Sequence, residues 1–216
     1  MTRMTSLLSS LVAALLLINL VALGTSRIGT MVRAVALQGV VLGMLALAAH
    51  GGLDYRVGLL VVASVGVKGW LIPVILFRAL RDVAIKREVE PSLGFLPSLL
   101  LGALATVLAV GAANRLPLVE TRLAPLLIPA SFATIAAGFI LITARRKAIS
   151  QVLGYLVLEN GIFVFGLLLV DAMPFLVETG VLLDLLVGIF VLSIIIHHIN
   201  REFASLDTRR LSLLKE

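Results

Sequence analysis

Residues 152–170 read VLGYLVLENGIFVFGLLLV, an apolar run interrupted near its centre by Glu159 and Asn160. A run of this length crosses a hydrocarbon core of ~30 Å as a helix. Placing a carboxylate at that depth costs ~2.5–3.5 kcal/mol on insertion scales, so an intramembrane acid marks a functional site by default. Tyr155 lies four residues before Glu159, on the same helical face, where its hydroxyl is within reach of the carboxylate or of an intervening water. Gly154 and Gly161 flank the acid with small side chains.

The rest of the chain is built the same way. Hydrophobic residues make up 60 % of the 216 residues and charged residues 14 %, proportions of an integral membrane protein rather than a soluble domain. Further apolar runs extend over Leu7–Leu23, Ala34–Ala49, Val57–Leu76, Leu96–Ala113, Leu126–Thr143 and Val181–Ile196. With the run around Glu159 they predict an all-α, polytopic bundle of seven transmembrane helices in one membrane domain. The second run is short and gains length by snorkelling of Arg33 or by local thinning of the bilayer. The longest connection, 78–95, opens as a helix-compatible, charge-alternating surface segment and breaks at Pro91.

A net charge of +6 would suggest nucleic acid in a soluble chain, but here the basic residues fall between apolar runs and act as topology signals. Arg27, Arg33, Arg78, Arg81, Lys86, Arg87, Arg145, Arg146, Lys147 and the basic residues of the tail 199–216 fall on one side; Arg3, Arg56, Arg115 and Arg122 fall on the other. The positive-inside rule then sets the amino terminus outside and the carboxyl terminus in the cytoplasm. The first run is open to a second reading, as a signal peptide, because Arg3 precedes it and small residues follow; its length and the positive charges behind it favour a retained helix.

Cysteine is absent, which excludes disulfides, thiolate-ligated clusters and Cys zinc sites, and His50, His197 and His198 lie outside the central motif. No cofactor is expected in this chain. Besides Glu159, two ionisable residues lie inside the runs. Lys68 sits in the middle of the third, with Ser64 before it, Gly66 and Gly69 beside it and Pro73 after it, a proline expected to kink the helix. Asp184 sits in the last run between Gly180 and Gly188. Burial disfavours the charged forms of acids and amines alike, so three such groups linked by water would relay protons. A buried lysine and carboxylate equally well pair to fix helix packing without moving a proton. Gln38 in the second run belongs either to the same polar chain or to an interhelical hydrogen bond. A weak internal repeat relates QGVVLGMLAL from Gln38 to NGIFVFGLLL from Asn160, each behind a basic loop. A retinal photoreceptor is excluded, because its Schiff-base lysine belongs on the last helix in an aromatic pocket, whereas Lys68 is on the third and the chain has one tryptophan.

The run RRKAISQVLGYLVLENGIFVFGLLL, the acid in VLLDLLVGIF, the segment VKGWLIP and the closing SLDTRRLSLLKE together resemble the hydrogenase-4 component E family. Residues 126–198 are similar to the K subunit of respiratory complex I and the C subunit of multisubunit sodium/proton antiporters, with residues 1–77 as three preceding helices and 96–113 as a connecting helix. The resemblance implies a non-redox subunit of a prokaryotic inner-membrane assembly, in which antiporter-like subunits and a membrane anchor join a peripheral hydrogenase or oxidoreductase arm carrying any nickel-iron and iron-sulfur centres. It implies that Glu159 is the central acid of a lateral proton-transfer or coupling axis. Asp184 matches a second acid by position, as aspartate where the K subunit usually has glutamate, and Lys68 matches a lysine of the component E family. Tyr155, Asn160 and Gln38 are supporting polar groups. A structural adaptor, or a component of a cation/proton antiporter, remains the alternative.

Overall fold

In a computed structural model of the chain, residues 2–50, 55–82, 91–113 and 123–170 are described, with a few single positions outside these stretches. They form α1 (Thr2–Gly24), α2 (Ile28–His50), α3 (Tyr55–Val61), a π-helical segment (Val62–Leu71), α4 (Ile72–Asp82), α5 (Phe95–Ala113), α6 (Ala124–Ala144) and α7 (Ala148–Gly166). The helix α3, the π segment and α4 run on as one span, so six helices among the described residues are long and apolar enough to cross a membrane. This is a multi-pass membrane protein. The run 181–196, with Asp184, lies outside the described residues.

Two helical hairpins make the centre. Short connections at 25–27 and 145–147 turn α1 into α2 and α6 into α7, and the hairpins pack so that α1 meets α6 while α2 meets α7. The third span lies against α2, and α5 lies outside α1 and α6. The helix is longer than the short second apolar run: α2 begins at Ile28 and carries Arg33 exposed near its start. On the outside, Leu100, Leu104, Val107 and Leu108 of α5 and Val62 and Trp70 of the third span are exposed, as suits surfaces turned to an apolar solvent.

Inside a bilayer, apolar side chains gain little from leaving lipid, so helix association depends on close packing and hydrogen bonds. Glycines provide the close packing. A Cβ at Gly161 would lie 2.6 Å from the Ile135 nitrogen and 2.9 Å from the Ser131 carbonyl oxygen, and one at Gly138 would lie 2.5 Å from the Leu158 nitrogen. Helices α6 and α7 therefore touch backbone to backbone on both sides of Glu159. On the other side of the bundle, a Cβ at Gly39 of α2 would lie 2.6 Å from the Gly69 nitrogen and 2.8 Å from the Ser64 carbonyl oxygen of the π segment.

The π register has a local cause. Pro73 lacks an amide hydrogen and its ring crowds the preceding turn. The turn widens instead of breaking, and the Ile72 N–H donates to the Val67 carbonyl five residues back. The kink expected at Pro73 is thus a ten-residue π segment ending just before it, with Lys68 inside it.

At the end where the two short connections lie, Arg145 is fully buried at 1 % exposure. Its Nη2 donates to the Leu23 carbonyl at 2.5 Å, and its guanidinium lies 4.4 Å from the Phe95 ring centroid. A cation on the last carbonyls of a helix satisfies orphan acceptors and answers the helix dipole. Arg145 is thereby a staple joining α1, α5 and the α6–α7 turn. In the sequence it reads as one topology charge among three.

Substituting Gly161→Val should destabilise the detergent-solubilised chain by ~1–3 kcal/mol or more, because backbone is what the new methyls meet. Gly111→Ala on α5, where an added Cβ meets nothing within 4 Å, should change stability by no more than ~1 kcal/mol, and in the stabilising direction. Thermal unfolding of both variants beside the parent checks the difference.

Candidate functional site

Lys68 comes from the π segment and Glu159 from α7, each near the middle of its span. Both are buried, at 5 % and 7 % exposure, and Lys68 Nζ lies 3.9 Å from Glu159 Oε2. The two groups that the sequence placed in separate helices therefore form an ion pair at mid-depth. The separation is that of an ion pair and is longer than a direct hydrogen bond. Lys68 Nζ also lies 5.8 Å from the Phe163 ring centroid, one turn along α7 from Glu159, a favourable position for a cation over an aromatic face.

The close approach at Gly39 is what brings the lysine to the acid. With hydrogen as its side chain, Gly39 admits the backbone of the π segment against α2, and Lys68 then extends past α2 to α7. Ser64, on the same segment, is fully buried.

Next to the pair runs a buried chain of hydrogen bonds that takes one side chain from each helix of the central four. Asn160 of α7 donates from Nδ2 to Gln38 Oε1 of α2 at 3.0 Å, and Gln38 donates from Nε2 to Asn19 Oδ1 of α1 at 2.6 Å. Asn19 donates from Nδ2 to Thr134 Oγ1 of α6 at 2.9 Å, and the Thr134 hydroxyl donates to the Ala130 carbonyl one turn back at 2.7 Å. All four side chains are at most 3 % exposed. Amides buried in this way are held by partners because leaving them unpaired in a medium without water costs several kcal/mol each.

Of the residues singled out in the sequence, Glu159 and Lys68 are brought together, and Asn160 and Gln38 are bonded to one another. Gln38 makes the interhelical hydrogen bonds allowed for it, in two directions. Tyr155 lies half-buried against the apolar core one turn before Glu159. Asp184 is outside the described residues. Asn19 and Thr134 were missed. Asn19 carried a signal of the same kind as Gln38, a lone amide in the run Leu7–Leu23; Thr134 carried none, since a hydroxyl in a transmembrane helix ordinarily bonds its own backbone. Among the described residues no three His, Cys, Asp or Glu side chains gather as metal ligands.

Removing the cation while keeping the acid, Lys68→Met, should destabilise the folded chain by ~3–5 kcal/mol, the usual cost of leaving one member of a buried pair. The double variant Lys68→Met with Glu159→Gln should recover a good part of that loss. Unfolding of the two single variants and the double variant in one detergent gives the coupling directly.

No protein-family model matches the chain, and no solved structure matches it. Among curated proteins, the uncharacterized protein Rv0085 of Mycobacterium tuberculosis is 30 % identical over 156 residues, which cover 72 % of this chain and 71 % of that protein. Hydrogenase-4 component E of Escherichia coli is 29 % identical over 147 residues, 67 % of each chain, and its Shigella flexneri counterpart gives the same figures. Over these lengths, the chain belongs to the protein family of Rv0085 and is similar to hydrogenase-4 component E.

Proposed function

We propose that this chain is a non-redox membrane subunit of a hydrogenase-4-like or complex-I-like assembly, and that the Lys68–Glu159 pair is a station on its proton-transfer or charge-coupling axis. The observation that carries the reading is the pair itself: opposite charges on two different spans, buried at mid-depth and 3.9 Å apart. A proton passed from the ammonium to the carboxylate leaves two neutral groups, which the low-dielectric interior tolerates better than two charges. A charge arriving next to either group shifts that balance, and this is how a redox event in a neighbouring subunit reaches the membrane.

In this reading Glu159 is the central acid, Lys68 faces one neighbour and Asp184 the other, and Tyr155, Asn160 and Gln38 orient the groups around them. The likeness to hydrogenase-4 component E favours antiporter-like membrane subunits as neighbours, with nickel-iron and iron-sulfur centres held in a peripheral arm rather than in this chain. Seven spans with the amino terminus outside and the carboxyl terminus in the cytoplasm complete the arrangement, in a prokaryotic inner membrane.

The test is ion translocation by the intact assembly in liposomes, wild type against Glu159→Gln at equal assembly, with redox turnover followed in parallel. The initial rate of gradient formation should fall by at least about tenfold, within the range that positioned proton-transfer groups contribute. Pumping and turnover that persist unchanged would make the pair a packing device and the chain a structural adaptor.

A further inference from the structure

At the end of the bundle with the short connections, some cations are engaged and others are not. Arg145 donates to the Leu23 carbonyl, and Arg146 donates from Nε to the Ser92 hydroxyl at 3.3 Å. Arg27, Arg33 and Arg78 are exposed, and their guanidinium groups make no hydrogen bond or ion pair among the described residues. Even with Asp82 one turn beyond Arg78 on α4, these three arginines leave an excess of positive charge.

The three belong to one seam. Helix α2 packs on α4, and a Cβ at Gly29 would lie 3.8 Å from Phe77 Cε1. Gly29 and Phe77 are both partly exposed, so their contact lies at the open rim of the seam. Arg27 precedes Gly29 by two residues, Arg33 follows it by one turn of α2, and Arg78 is the residue after Phe77. In a helix the Cα–Cβ bonds tilt towards the N-terminus. Helix α2 starts at this end and α4 finishes at it, so Arg33 leans outward and Arg78 inward, both towards the level of the Gly29–Phe77 contact. Arg33 lies ~6 Å deeper than Gly29 along the helix axis, a depth that an arginine side chain spans by snorkelling. Below the arginines the exposed surface turns apolar. Leu37 and Met44 continue from Arg33 along α2, and Val74 and Leu71 continue from Arg78 along the third span, all at 40–53 % exposure.

We propose that this seam binds an anionic phospholipid, its phosphate held by Arg27, Arg33 and Arg78 and its acyl chains lying along the apolar faces beneath. The guanidinium fork matches phosphate oxygens, and anionic headgroups collect where basic side chains stand at the membrane surface. A soluble anion would use the arginines and leave the apolar faces unused. An acidic protein segment would have to follow Arg33 into a surface that faces hydrocarbon. A phospholipid has its charge and its apolar part in the same order along the membrane normal as this seam. The site is separate from the Lys68–Glu159 pair at mid-depth.

In the experiment the full chain, stripped of lipid in detergent, is titrated with phosphatidylglycerol, phosphatidylcholine and inorganic phosphate, and bound molecules are counted by native mass spectrometry. Phosphatidylglycerol should bind at least about tenfold more tightly than phosphatidylcholine, and equimolar inorganic phosphate should not displace it. Arg33→Gln and Arg78→Gln should each weaken phosphatidylglycerol binding about fivefold, the contribution of one basic residue near the membrane surface. Arg115→Gln, which removes an exposed arginine at the opposite end of the bundle, should leave binding unchanged. Equal binding of the two lipids, an equal loss in Arg115→Gln, or wild-type binding in the double variant Arg33→Gln with Arg78→Gln overturns the site. Displacement by inorganic phosphate overturns the lipid as occupant in favour of a soluble anion. Loss of a neighbouring subunit from the assembly in the double variant, with lipid binding intact, overturns it in favour of a protein contact.

Discussion

In the hydrocarbon core no water is present to take up a stray hydrogen bond, and this constraint governs the centre of the molecule. Each helix of the inner four brings one polar side chain, and the four are joined in a single line from Asn160 to Ala130. Thr134 alone of the four also bonds its own helix in this line, at the Ala130 carbonyl, and so ends it. Four polar residues that would each oppose insertion singly become, together, the contact that fixes how the helices are rotated about their axes. Glycine contacts set how closely the helices approach; the amides set which faces meet.

The same constraint explains where the lysine is held. A lysine in mid-membrane needs an acid, and the acid is on α7, whereas the third span packs chiefly on α2. Two local departures from regular helix packing close the gap. Gly39 lets the π segment lie against α2 at backbone distance, and the π register, imposed ahead of Pro73, sets the direction in which Lys68 leaves the backbone. The close approach at Gly39 favours association of the two helices, whereas the π register departs from the regular backbone ladder. They serve a charge pair that a regular helix behind a bulkier α2 would hold apart. At the end of the bundle with the short connections, Arg145 does the complementary work by placing a buried cation on the last carbonyls of α1, so that end is tied by charge and the middle by amides.

Much of this was legible in the sequence, for physical reasons that can be named. Glu159 and Lys68 stand out because charge in an apolar run is expensive, and their pairing follows from the same cost. The likeness between QGVVLGMLAL and NGIFVFGLLL also has a spatial meaning: Gln38 and Asn160 hydrogen-bond to each other, and the glycine after each is a point of close helix approach. The kink at Pro73 was legible as a perturbation but not as a π segment, because proline states that the regular ladder fails without stating how far the register slips. Asn19 was legible in principle and Thr134 was not. A hydroxyl satisfied by its own helix looks inert until a second helix is seen to use its oxygen, and that is information about rotation between helices which no single run contains. Arg145 misled for a similar reason, since a basic residue beside two others at a helix end reads as a solvated charge until its carbonyl partner on α1 is known.

What distinguishes the site from an ordinary buried ion pair is the mixture of groups that titrate and groups that do not. Lys68 and Glu159 are ionisable residues; Asn160, Gln38, Asn19 and Thr134 are not, and they outnumber the pair. A structural lock would be served as well by more apolar packing, since replacing buried ion pairs by hydrophobic residues is often neutral or stabilising. In the proposed role, amides of fixed polarity on the central helices serve a different end. In that role they would supply a permanent dipole field that stays unchanged while a proton moves, so that the energy of each protonation state would be set in advance by the fold. A membrane subunit with the proposed role would need that property, because its response would have to depend on the arriving charge and not on a rearrangement of its own interior.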